Sequence, residues 1–149
     1  MKKSLSIIAI IILVVLIVSG TLIYINLPDT LTYYLNARNS NVEKTYDTML
    51  WLLYLSGIPA IVMLAVAVKL SINVLKNRSF VSQNVVMLKC IGILSLVIAV
   101  EFFAFTPALA SFFPPMMAML FVVLSLLMFI VGNLFKIAIK YKEENDLTI

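Results

Sequence analysis

Glu101 is the side chain whose type and setting point most directly to chemistry. It lies inside an apolar run from about Val85 to Thr106. Counting from Lys89 at about 1.5 Å per residue sets it roughly 18 Å along a helix, somewhat past the middle of a bilayer. A charged side chain at the centre of a spanning helix costs about 2.5–3.5 kcal/mol on insertion scales. Such a carboxyl must be protonated, paired or turned towards other helices. Its functional reading is a proton- or cation-linked site. Its structural reading is a neutral carboxyl bonded to a neighbour, or one reaching the interface near Thr106. No intramembrane Lys or Arg can pair with it, and Tyr54, Ser56, Ser95 and Ser125 are the polar candidates.

Other chemistries find few residues to use. The chain has no His, so imidazole metal sites and general bases are excluded. Cys90 is its only cysteine, which rules out an intramolecular disulfide. Met116, Met117 and Met119 share a helical turn, but thioethers without Cys or His beside them read as packing residues, not a copper site. No Ser/His, Cys/His or paired-carboxylate constellation is present, and no glycine run cradles a phosphate. The expectation is a protein that is not an enzyme, with no catalytic, cofactor-binding or metal-ligating residue.

The elements that must carry Glu101 follow from composition. Of 149 residues, 63% are hydrophobic and 12% charged. Soluble domains carry roughly 45–50% and about 25%. One core in a chain this short cannot hide such a surplus, so a bilayer has to solvate it. Helices of about 20 apolar residues span the hydrocarbon core. Four such runs are read, at about 5–25, 49–68, 85–106 and 116–135. The fold expected is all-α, a single integral membrane four-helix bundle. Lys2 and Lys3 before the first run also fit a secretory signal, but the run continues to Ile25, longer than a signal's apolar region, and is read as an uncleaved anchor.

Charge orients the spans. Lys2, Lys3, Lys69, Lys76, Arg78, Lys89, Lys136, Lys140 and Lys142 fall on one side, against Arg38 and Lys44 on the other. Nine against two is a strong positive-inside bias and predicts both termini on the cytoplasmic side of a plasma membrane. Pro28 follows the first span; Pro114 and Pro115 precede the fourth, where first-turn prolines are tolerated. Ser82 is the expected N-cap of the third helix. Pro59 is expected to kink the second.

Three polar segments remain. The 69–89 segment is basic, amphipathic and helical at both ends, with Lys76 and Arg78 near anionic headgroups. It reads as a topology determinant or as a docking surface for a cytoplasmic partner, with Lys76, Arg78 and Lys89 as candidates. The stretch Asn26 to Thr48 is the longest water-facing loop, and Tyr24, Tyr33, Tyr34, Tyr46 and Trp51 fit an aromatic belt or a small sensor loop. The tail after Lys136 continues the last helix, with Lys140 and Glu144 four residues apart and Glu143, Glu144 and Asp146 as acidic docking candidates.

Two stretches carry a resemblance. They are Lys76-Asn-Arg-Ser-Phe-Val-Ser-Gln-Asn84 with the following Val85-Val-Met-Leu-Lys-Cys-Ile-Gly92, and the terminal Glu143-Glu-Asn-Asp-Leu-Thr-Ile149. Together they resemble the bacterial membrane proteins catalogued as domain of unknown function 2975. Those proteins are similar in length, have four expected spans, and often carry proline where Ser79 stands here. They are often encoded beside small helix-turn-helix regulators of the Xre type. The resemblance implies no catalytic residue; at most it implies a membrane partner for a cytoplasmic regulator. The first functional expectation is therefore a regulatory or sensor protein that holds such a regulator and does not itself touch nucleic acid. The alternative is a small transporter, working as a homo-oligomer through Glu101, or a resistance or immunity protein.

Overall fold

The computed structural model describes residues 2–37, 42–109 and 111–146, with backbone alone at 2–3, 42–44 and 146. The described chain is all helical: α1 (Lys2–Ile25), α2 (Leu27–Ala37), α3 (Val42–Leu75), α4 (Ser82–Leu109) and α5 (Phe113–Asp146). All but the short α2 are long and apolar enough to cross a bilayer. The chain is a multi-pass membrane protein.

The long helices pack as a curved row in the order α1, α3, α4, α5, and α1 makes no close backbone approach to α4 or α5 among the described residues. The four long helices expected from the apolar runs are present, and their contacts run between neighbours in that order. The reason lies in the seam chemistry. Inside lipid, apolar side chains gain little by leaving hydrocarbon for protein, so tight packing decides which helices associate. Between α4 and α5, small residues recur every seven positions. Val85, Gly92 and Ala99 on α4 oppose Gly132, Ser125 and Ala118 on the antiparallel α5, and all are buried. A Cβ added to Gly92 would sit 3.3 Å from the Ser125 carbonyl oxygen, and one added to Gly132 would lie 3.9 Å from the Val85 carbonyl oxygen. The same register sets Ala99 opposite Ala118. A seven-residue repeat holds one face towards a partner with a slight left-handed supercoil.

By contrast, α1 presents almost all of its surface outward; Leu5, Ile12, Val15 and Ile23 are among its exposed side chains. It holds α3 chiefly through Tyr24, whose ring stands edge-on to Tyr54 with centroids 5.3 Å apart. The Tyr24 hydroxyl donates to the Tyr54 carbonyl (3.2 Å), and the ring fills the space a Cβ on Gly57 would need. Tyr24 therefore packs α1 against α3. Tyr33 and Trp51 are well exposed, as a belt requires.

The 26–48 stretch differs most from its reading as a water-facing loop. Eleven of its residues form α2, with Leu27, Leu31 and Leu35 buried at four-residue spacing. Thr30, Thr32, Tyr33 and Asn36 occupy the exposed side. α2 packs on α3, a short amphipathic helix laid over the end of the row. Arg38 falls outside the described residues. α3 begins at Val42, well before the apolar run at Met49, and continues helical through Pro59. Pro114 and Pro115 lie in the first turn of α5, as their missing N–H groups favour.

Candidate functional site

The antiparallel order gathers the N-terminus of α1, the α3–α4 turn and the end of α5 at one end of the row. This basic end is built around three asparagines. Arg78 N–H donates to the Asn73 carbonyl (2.9 Å) and Asn77 N–H to the Val74 carbonyl (3.1 Å). That pair of bonds is a Schellman closure, which needs a left-handed residue just past the helix. Asn77 supplies it, with φ 58°. Asparagine tolerates this conformation better than other side chains because its short amide bonds locally.

Asn84 then fastens the turn to α4. It is fully buried. Its Nδ2 donates to the Arg78 carbonyl (2.8 Å) and the Ser79 carbonyl (2.7 Å), while its Oδ1 accepts from Asn73 Nδ2 (2.7 Å). Arg78 is thus tied through both its N–H and its C=O, and its side chain is exposed. Lys76 is exposed beside it. The lock forms with serine, not proline, at position 79, because Ser79 contributes only its carbonyl. Ser82 is the first residue of α4 and is exposed, one position inside the place expected of a cap.

Phe80 binds the turn to α5. Its ring stacks on Phe135 with centroids 5.7 Å apart and planes 30° apart. The α4–α5 register brings Lys136 level with the turn, and α5 continues to Asp146, a further length of roughly 15 Å. On that extension Lys140 pairs with Glu144 at 3.7 Å, both exposed. Glu143 is also exposed, and the Asp146 side chain falls outside the described atoms. Lys89 is half-buried, its stem against Gly132. The structure therefore joins Lys76, Arg78, Lys89 and the tail carboxylates at one end. The asparagines that hold the turn had no role in the sequence reading. Their signal was an Asn just past a helix, followed by an arginine.

Glu101 stands apart from this end. It lies nine residues after Gly92, two and a half helical turns, which sets it on the opposite side of α4 from the α5 seam. It is half-buried, and its Oε2 is buried without a hydrogen-bond partner among the described residues. Two of the expected partners are committed elsewhere: Ser56 donates to the Leu52 carbonyl (2.8 Å), and Ser95 to the Ile91 carbonyl (2.8 Å) and the Met63 sulfur (3.3 Å). A nearby groove of about 270 Å³ opens between α1 and α5, with Gly20, Tyr24, Ile98, Phe102 and Phe121 in its walls. Glu101 does not line it. No group of three or more metal-ligating side chains occurs among the described residues.

No curated protein matches the chain, and no solved structure does. The family model described as a protein of unknown function, DUF2975, matches residues 7–149. That match takes in every long helix, the asparagine-locked turn and the α5 extension, and the chain belongs to the DUF2975 family of membrane-associated proteins of bacterial origin.

Proposed function

We propose that this protein is a membrane-bound regulatory partner, which holds a small cytoplasmic helix-turn-helix regulator at its basic end. The positive-inside bias turns that end, and with it both termini, towards the cytoplasm. The observation that carries the reading is the asparagine lock. The Asn84 amide holds the Arg78 carbonyl, and the Arg78 N–H donates to the Asn73 carbonyl, so the backbone is pinned on both sides of this arginine. Burying an amide is costly unless every group is satisfied, and here the Arg78 and Ser79 carbonyls and the Asn73 amide satisfy it, which holds the turn that carries Arg78 and the exposed Lys76. The α5 extension carries exposed carboxylates beyond the same end, so that end offers both signs of charge to a protein partner. Such a surface governs recognition and encounter rate more than raw affinity. A two-hybrid assay between the full-length chain and the helix-turn-helix regulators of the same genome tests the reading. One regulator is expected to score with the native chain and to fail with Lys76→Glu/Arg78→Glu. Loss of the reading follows if no regulator scores, or if deleting the gene leaves transcription unchanged.

A second reading rests on the unpartnered Glu101 oxygen. It is a small transporter or resistance protein, working as an oligomer, in which Glu101 exchanges a proton or cation. Glu101→Gln in vesicles is expected to abolish proton-coupled flux while leaving the fold intact. Unaltered flux removes Glu101 from any coupling role.

A further inference from the structure

We propose that the outward face of α5 is a self-association surface, along which more than two copies of this chain assemble in parallel. The proposal rests on neither functional reading.

The two sides of α5 differ in make-up. Ala118, Ser125 and Gly132 recur every seven residues and are buried against α4. The opposite side carries a second seven-residue repeat, of larger apolar residues. Leu120, Leu127 and Leu134 alternate with Val123, Ile130 and Ile137 at steps of three and four, and Tyr141 takes the next place. All seven side chains are exposed. Three heptads of this kind are the pattern of a coiled-coil seam.

Inside hydrocarbon an outward apolar face needs only lipid, so the weight of the argument falls on the extension. Past Lys136 the apolar run has ended, and Lys136, Lys140, Lys142 and Glu143 are exposed. The repeat nevertheless keeps its spacing there, with Ile137 51% and Tyr141 64% exposed. Apolar area left in water forgoes about 25 cal/mol per Å². A short helix projecting on its own is also marginal in water. A helix laid along this face answers both.

A further copy of the same chain is the occupant that fits. Insertion gives every copy the same orientation, so identical stripes meet in parallel, with like residues at like levels. No charged residue stands in the stripe from Leu120 to Tyr141, so like meets like without repulsion. The place after Tyr141 falls to Glu144, which is engaged with Lys140, and the stripe ends there. Asn133 flanks it and is exposed. An amide at the end of a span can bond across to a neighbouring helix.

The order of residues and the available area both set the number of copies above two. Leucine at the first core place of each heptad with β-branched residues at the second favours three or four strands. From Leu120 to Tyr141 the stripe runs about 32 Å along a helix about 10 Å wide, roughly 300 Å² against one neighbour. A stable contact takes about 600 Å² or more from each partner, which two neighbours supply and one does not.

Native mass spectrometry of the full-length protein released from nanodiscs is expected to show more than two copies. Leu134→Ala/Ile137→Ala should weaken the assembly at least about tenfold. Val122→Ala, exposed but off the stripe, should leave it unchanged. In a Cys90→Ser background, oxidation of intact membranes should link copies through Ile137→Cys and not through Lys142→Cys. A monomer or dimer overturns the proposal, as does undiminished assembly of the double alanine variant or equal linkage at the two cysteine positions. Linkage of Ile137→Cys to a different protein alone would assign the stripe to that partner and overturn self-association.

Discussion

Asn84 shows what a single buried amide does in this chain. Its three hydrogen bonds satisfy two turn carbonyls and the Asn73 amide at a fully buried site. Asn84→Asp is the sharpest perturbation. A carboxylate has no N–H for the Arg78 and Ser79 carbonyls, and it confronts them with like partial charge. Each unsatisfied buried group costs about 1–3 kcal/mol. The variant is expected to lose several degrees in melting temperature and to be cut by trypsin after Arg78 far faster than the native chain. Native-like resistance at Arg78 would show that the lock does not hold the turn. The asparagines were in plain view in the sequence, but nothing local marked them as partners. Asn73 and Asn84 meet only because the chain reverses between them.

At the scale of elements, the α4–α5 seam governs the packing. Gly92 lies against the α5 backbone, and a Cβ there would be 3.3 Å from Ser125 O, 3.3 Å from Phe129 Cζ and 3.4 Å from Met128 Cβ. A larger side chain must push backbone aside, since only the Phe129 ring can swing away. Overpacking of this kind costs about 1–3 kcal/mol or more. Gly92→Leu is expected to lower the detergent melting temperature sharply, whereas Ile93→Leu, one residue along and facing lipid, should leave it within a degree. Equal melting of the two variants would count against the seam. The same contrast explains why the number of long helices was legible and their arrangement was not. Apolar runs announce spans, but the seven-residue recurrence of Gly92 with Ala99, and of Ala118 with Ser125 and Gly132, becomes meaningful only once the two helices are known to face each other. α2 was missed for a related reason. Its Leu27, Leu31 and Leu35 stripe is short and set among tyrosines and threonines that also suit a loop.

For the whole molecule, orientation is the property to measure. The orientation proposed from the charge bias has the basic end in the cytoplasm and α2 outside. Green fluorescent protein fused at either terminus is expected to fluoresce, while a cysteine placed at exposed Asn36 should react with an impermeant maleimide in intact cells. A dark terminal fusion, or an Asn36 cysteine labelled only after lysis, would reverse the assignment and move the proposed docking surface to the other side. The helix order bears on the second function as well. Among the described residues α1 makes no close backbone approach to α4 or α5, and on the second reading transport would use assembled subunits.

By itself, the sequence determined that this chain lives in a bilayer, how many long helices cross it and which end carries the positive charge. Those properties are sums over many residues, and the cost of exposing polar groups to hydrocarbon makes them hard to misread. The tertiary structure alone decided that the long helices pack in the order α1, α3, α4, α5, that Leu27–Ala37 form an amphipathic helix, and that three asparagines hold the turn at Arg78. It also showed two of the four expected polar partners of Glu101 bonded elsewhere. Ser56 and Ser95 each bond a carbonyl four residues back on their own helix, a choice set by local geometry that composition does not record. Glu101 thus remains the residue with which the chemistry began, now with a buried oxygen that no neighbour among the described residues satisfies.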